Sequence, residues 1–366
     1  MTATSTPLAG TTAGRTRLPG PDVVRAVALI GVVIMNYNGY LLLQQEAPRS
    51  TDALHRFFDP WTGPLATRFA ATFVLVAGVG VTLLTRRSIG DPAAVRRRRL
   101  TLVRRGLVLY GAGLLLDEIW DGTILPYYGA MFVFAAVLFT LSSRWIVAVG
   151  AGAAIAGALV AWWRLEQRLA GNDTSWLDAP GPHSPHGLVL GVFVNGTHPL
   201  LPWLAFLCAG IVLGRSLGRA GWRPVAIGLG AALYVVATSV GSAASGDRGA
   251  LLSTGPWSRS LVYTASALGT ALMAFGAITW IAERHPSSRL VAWLAAAGTL
   301  SLTLYVLHAL LFELVVNQLG WIRPTGLDTA LAFAGCYWLV GITFAVLWRR
   351  RFGIGPFEWV YRWLGG

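Results

Sequence analysis

The chain has 366 residues, 55% of them hydrophobic and only 12% charged, with a formal net charge of +13 and a mean hydropathy of +0.58. A soluble domain keeps roughly a quarter of its residues charged, so this composition excludes an ordinary soluble protein and places the chain in lipid. The positive charge is all arginine, without a single lysine, and lies between apolar runs and not on a separate domain; that excludes nucleic acid as a partner and fits a GC-rich bacterial source.

Residues 1–21, MTATSTPLAGTTAGRTRLPGP, are polar and read as a disordered segment. The apolar run that follows is too long, and too interrupted by asparagine, for a cleaved signal peptide, so it is expected to stay as the first membrane helix. Hydropathy windows of about 19 residues place spans near 23–43, 66–85, 102–119, 124–142 and 145–163, then near 199–217, 225–244, 260–281, 298–317 and 329–348. Backbone in hydrocarbon must satisfy its own hydrogen bonds, and these runs are too long for barrel strands. The fold class is therefore all-α: a polytopic transmembrane bundle of about ten helices, its membrane domain spanning 22–348.

Arginine placement sets the orientation. RRSIGDPAAVRRRRLTLVRR, the connectors with Arg144, with Arg215, Arg219 and Arg223, and with Arg284 and Arg289, and the tail from Arg349 share one side. Both termini are then cytoplasmic. The tail, residues 349–366, places Phe357, Trp359, Arg362 and Trp363 on a short amphipathic helix at the cytoplasmic interface. Cys208 and Cys336 fall inside spans and read as small apolar packing residues, and no metal site is expected. Glycines in AGVGV and GAGAAIAG read as close helix packing, not as a phosphate loop.

In LLLDEIWDGTILPYYGAM, Asp117, Glu118 and Asp121 interrupt two apolar runs, and Tyr127 and Tyr128 follow at once. Counting ~1.5 Å per residue from Arg104 and Arg105 puts these acids at the outer interface. Asn36 and Asn38 lie near the outer end of span one, His198 opens span six with Trp203 close behind, and His55 sits in the first outer loop. The long connection 164–198 carries His183, His186 and Asn195 and is broken by Pro180, Pro182 and Pro185. It is expected to form a short helix or re-entrant element over a cavity. His308 falls near the middle of the bilayer, where an ionisable group costs ~3 kcal/mol on insertion scales and faces an interior cavity. Plain alternatives stand beside these readings. The acids suit a solvated turn, His308 suits a neutral imidazole bonded to a neighbouring helix, and the arginines suit a role in topology alone.

DVVRAVALIGVVIMNYNGY resembles the first helix of the heparan-α-glucosaminide N-acetyltransferase-like and YeiB-like membrane proteins. DGTILPYYGAM resembles their turn between spans three and four, and THPLLPWLAFLCAGIVLGR their mid-chain segment. AAGTLSLTLYVLHALL and FGIGPFEWVYRWL are similar to the closing segments of the YeiB-like branch. The resemblance implies a multi-pass acyltransferase of the cell membrane. It would take acyl-CoA, acetyl-CoA above all, from the cytoplasm and pass the acyl group to a sugar or other small-molecule or glycan acceptor outside. It also implies an essential histidine in the first outer loop shortly before a tryptophan. Here Trp61 matches that tryptophan and His55 stands six positions upstream, while Arg25-Ala26 occupies the place of the family's Arg-Gly pair.

Acyl transfer needs a base for the acceptor's proton, donors for the tetrahedral oxyanion, and an acid to orient the base. His55, His198 or His308 suit the first role, Asn36 or Asn38 the second, and Asp117 or Asp121 the third. Tyr127, Tyr128, Trp61 and Trp203 are the aromatic candidates for acceptor contact. Arg25, Arg104 and Arg105 are the candidates for CoA phosphates. These groups are expected to meet in one pocket opening outward. Membrane lipid surrounds the chain, and a homodimer is compatible with it. The other readings are a transporter or flippase of a small polar or lipid-linked solute, which ten helices with polar groups at mid-depth would also suit, and a scaffold that has kept the fold.

Overall fold

The computed structural model describes residues 19–45, 50–178, 184–323 and 325–366, apart from the side chain of Asp247. Most of the amino-terminal segment (1–18), His183, Pro180 and Pro182 lie outside the described residues. In chain order the helices are α1 (Gly20–Gln44), α2 (Ala53–Phe57), α3 (Arg68–Thr85), α4 (Pro92–Asp117), α5 (Leu125–Leu138) and α6 (Ser143–Leu169). Then come α7 (Pro185–Leu190), α8 (Leu200–Ser216), α9 (Trp222–Ser242), α10 (Leu261–Arg284) and α11 (Arg289–Thr299). The last are α12 (Ser301–Phe312), α13 (Leu327–Phe352) and α14 (Pro356–Gly365). Helices α7 and α12 each run on into a π-helical turn, Gly191–Asn195 and Glu313–Gln318. No strand occurs among the described residues.

The helices begin where the chain permits. Proline occupies the first turn of α1, α4, α5, α7 and α14, where its missing N–H costs nothing. Asp91 and Ser260 cap α4 and α10 by accepting from Ala93 N–H and Tyr263 N–H, both at 2.9 Å.

Among the described residues seven helices are long and apolar enough to cross a membrane, and eight if the bent pair Pro185–Asn195 and Leu200–Ser216, at 57°, is counted as one span. The protein is thus a polytopic helical membrane bundle. The other two sequence-predicted spans are α4 and α5. The first half of α4 is an arginine run and α5 has 14 residues, so each falls short of a bilayer by itself. They pack as a pair through Gly106 and Gly129, where a β-carbon on either would collide with the other's carbonyl oxygen. Span nine is interrupted at Leu300, between α11 and α12.

The outside of the bundle is greasy: Leu115 is 77% and Leu339 73% exposed, the pattern of side chains facing acyl chains. Cys208 is buried as expected, whereas Cys336 lies on the exposed face of α13. Helix α1 runs through the centre, against α3, α10, α11, α12 and α13. Its Tyr37 ring stacks on Phe333 of α13 at 4.4 Å.

Candidate functional site

Near the end of α1, positions 36, 37 and 40 fall on one side of the helix because each residue turns it by about 100°. Asn36 Nδ2 lies 3.1 Å from Nε2 of His308 on α12. The Tyr37 hydroxyl donates to the His308 carbonyl at 3.0 Å. His308 is fully buried, and its Nδ1 meets the Tyr305 carbonyl one turn earlier. A carbonyl accepts only, so the ring proton belongs on Nδ1. Nε2 then carries the lone pair, and the Asn36 amide donates to it.

The acid-bearing turn closes over this pair. The Trp120 ring stands edge-on to His308 at 5.2 Å and packs on Tyr40 at 3.9 Å. The Tyr305 hydroxyl shares a hydrogen bond with Thr123 Oγ1 at 3.0 Å and accepts from Ile124 N–H at 3.1 Å. Asp117 Oδ1 accepts from Gly122 N–H at 3.0 Å, so this carboxylate shapes the turn. Asp121 joins through its main chain, its carbonyl accepting from the Tyr40 hydroxyl. No carboxylate among the described residues bonds to the His308 ring; a backbone carbonyl orients it instead.

A second group lies alongside. The His198 ring is edge-on to Trp203 at 4.5 Å and 5.8 Å from Tyr127. The Tyr127 hydroxyl accepts from Thr197 N–H at 3.1 Å, and His198 Nδ1 is buried without a bonding partner. A cleft of about 320 Å³ runs past Tyr110, Asp117, Tyr127, Asp178 and Asn195; it borders the acidic turn and Tyr127, and neither His308 nor His198 lines it. One wall is the α7 segment, the short helix expected in the proline-broken connection. Arg259 holds this element by donating to the carbonyls of Val194, Asn195 (2.8 Å) and Gly196 (3.0 Å), the free carbonyls at a helical end. Burial, then the nearby Arg164 charge, pushes the Arg259 guanidinium down to about 10.

His55 stands apart from both. It lies on the exposed helix α2, with Nδ1 2.8 Å from Asp52 Oδ2 and its N–H on Asp52 Oδ1 at 2.9 Å. Asn38, turned about 200° from Asn36, donates to the Phe58 carbonyl at 2.8 Å and so ties α1 to this loop. Trp61 lies half-buried in the same loop, its N–H on Asp59 Oδ1 at 2.9 Å. The single outward pocket expected from sequence is therefore corrected to two adjoining groups and a separate loop, since residues at one depth point in different directions around their helices.

At the arginine-rich end, Arg25 reaches Asp22 Oδ1 at 3.3 Å and the Gly298 carbonyl at 3.4 Å. Arg105 lies over the Tyr361 ring at 5.4 Å and donates to the Gly366 carbonyl at 3.3 Å, so α14 covers it. Arg104 is exposed. Between the two ends, the Tyr128 hydroxyl is buried with no bonding partner, within electrostatic reach of Arg25 and Tyr305. Glu358 of α14 accepts from Leu302 N–H at 2.7 Å, Thr303 N–H at 3.1 Å and Thr303 Oγ1 at 2.5 Å, capping the helix that carries His308. Sequence reasoning passed over Tyr37, Tyr40, Trp120, Tyr305 and Glu358. The one available signal was spacing: Tyr305 precedes His308 by three residues, and Tyr40 follows Asn36 by four.

The family model described as "Heparan-alpha-glucosaminide N-acetyltransferase, catalytic" matches residues 17–242, which contain Asn36, the acidic turn and His198. A second, described as "Protein of unknown function (DUF418)", matches residues 209–365, which contain His308 and the capping tail. The chain is 26% identical over 381 aligned positions to the uncharacterized protein YeiB of Escherichia coli strain K12, covering 94% of each. The Asn36–His308 contact thus joins the stretches that the two models match, and the chain belongs to the heparan-α-glucosaminide N-acetyltransferase-like, YeiB-like family of membrane proteins.

Proposed function

We propose that this protein is an acyl-CoA-dependent acyltransferase of the cell membrane, moving an acetyl group to an amine or hydroxyl of a sugar-like acceptor on the far side. The arginine-rich end, with both termini and the interfacial tail, is the cytoplasmic side. Arg25 and the arginines of α4 suit the phosphates of the donor there. The Tyr128 hydroxyl, buried without a bonding partner and within electrostatic reach of both Arg25 and Tyr305, suits the amide-bearing arm of the same molecule.

The observation that carries the proposal is the 3.1 Å contact between the Asn36 amide and the lone-pair nitrogen of His308. At rest the amide occupies Nε2. An acceptor O–H or N–H that takes its place gives its proton to Nε2 as its heteroatom attacks the thioester carbonyl. The displaced amide then donates to the oxygen that becomes negative. Collapse breaks the C–S bond, and the proton on Nε2 passes to the departing thiolate. The Nδ1–H to the Tyr305 carbonyl steadies the imidazolium, and Trp120 and Tyr40 exclude water that would hydrolyse the thioester.

The test is thiol release from acetyl-CoA by purified protein with an amino-sugar acceptor. His308→Ala should lower turnover by at least about 100-fold, and His55→Ala should leave it within about twofold. Full turnover in His308→Ala would sink the mechanism. The transporter reading gains less support, because repeat-built carriers pair two broken spans in matching halves, and the described residues contain one bent pair.

A further inference from the structure

At the arginine-rich end, α11 and α13 pack together and leave a groove of about 610 Å³ beside them. Arg289 opens α11, and Arg349 and Arg350 lie in the last turn of α13. All three line the groove, together with Ala292, Trp293, Ala296 and Val346. Each helix repeats one order along its axis. On α11, Arg289 at the bundle's end is followed by Ala292 and Trp293 one turn in and Ala296 two turns in; on α13, Val346 lies one turn in from Arg349 and Arg350. No carboxylate lines the groove, and among the described residues none of the three guanidiniums has an acid partner; Glu283, six positions before Arg289, is engaged by Arg223.

Three like charges gathered beside an apolar floor repel one another and attract an anion. Topology needs arginines at this end but does not need them to converge on a groove. A small hydrated anion would match the charges and leave Trp293 and Ala292, both exposed, uncovered. A molecule that is anionic at one end and a hydrocarbon chain at the other matches both halves, and basic clefts between spans are the usual setting for such head groups. Arginine favours phosphate oxygens through paired N–H donors.

We infer that this groove is a binding site for an anionic phospholipid of the surrounding leaflet. Its phosphate sits on Arg289, Arg349 and Arg350, and an acyl chain lies along Trp293, Ala296 and Val346. The inference is independent of the acyl-transfer reading.

The full-length protein in neutral detergent is unfolded thermally with phosphatidylglycerol, with phosphatidylcholine, or with inorganic phosphate added. Phosphatidylglycerol should raise the midpoint by about 3 °C or more, and the other two should not. The Arg289→Gln, Arg349→Gln, Arg350→Gln triple variant should lose the gain. So should Ala292→Trp, which fills the groove and keeps every charge, and which carries the test if the triple variant does not fold. A control altered at Arg96, Arg97 and Arg98 of α4, each to Gln, should keep it. An equal gain with phosphatidylcholine, or a gain that survives Ala292→Trp, overturns the site. Loss in the α4 control as well reduces the effect to diffuse charge, and an equal gain with phosphate assigns the groove to a free anion; either result also overturns it.

Discussion

The side chains of Asn36 and His308 meet across 272 positions of chain, amide nitrogen to ring nitrogen at 3.1 Å. The histidine is fully buried, its ring flanked by Tyr37, Trp120 and Tyr305, and Asn36 is half-buried. The contact ties the first helix of the bundle to the last third of the chain.

Asn36→Ala separates binding from chemistry. In the proposed mechanism the oxyanion then loses its donor, and kcat should fall by about 100- to 1,000-fold with KM changed far less. The same change leaves Nε2 buried and unbonded, at a cost of about 1–3 kcal/mol in stability. Steady-state thiol release and a melting curve read the two effects. A variant with a raised KM and a normal kcat would move Asn36 from the reacting centre to acceptor binding.

Asp52 sets a pH dependence for the loop that carries His55. The His55 N–H, then the Ser50 hydroxyl, hold its carboxyl down to about 2, below the usual 3.8. The folded value lies below the unfolded one, so the cap on α2 is complete above about pH 4 and is lost as pH falls through about 2. Amide exchange at His55, corrected for its intrinsic pH dependence, should accelerate across that window. Protection that stays constant there would show that the carboxylate does not hold the helix.

Glu358 should matter more to the fold than to the choice of acyl group. Glu358→Ala leaves Leu302 N–H and Thr303 N–H without their acceptor at the start of α12, a loss of about 1–3 kcal/mol per buried donor. Truncation after Arg351 should cost more, since it also uncovers Arg105. Both should lower the melting temperature with relative rates on acetyl- and longer acyl-CoA unchanged. A stable truncation with altered acyl preference would instead make the tail part of the donor site.

Gly106→Val tests the pairing of α4 with α5. The added methyl groups meet the Gly129 carbonyl and the Val133 side chain, and overpacking of this kind costs about 1–3 kcal/mol. Folded yield in detergent should drop, and Gly111→Val, on the open side of the same helix, should be tolerated. Equal yields from the two would argue against backbone contact between these helices.

Much of this was legible from the chain before folding. Eight of the ten apolar runs, the proline-broken connection and the amphipathic tail correspond to spans, to the α7 segment and to α14, because length, hydropathy and proline act locally. Level along the bundle was partly legible too, as residue count times helical rise: Asn36 and the acidic turn were expected at one level, and His308, expected deeper, meets both. Direction was not. Asn36 and Asn38 share a depth, yet one reaches His308 and the other Phe58; Tyr127 and Tyr128 are neighbours, yet one faces Thr197 and the other the interior near Phe73.

Hydropathy and arginine spacing were thus enough to make this a helical bundle in lipid, since each span answers to its own residues and to the solvent around it. The partner of His308, and the use of Asp117 as a turn-former and of the Asp121 carbonyl as an acceptor for Tyr40, came from the way the helices rotate and pack. A helix's rotation about its axis is set by the neighbours it buries against, and for α1 and α12 those neighbours lie hundreds of residues apart in the chain.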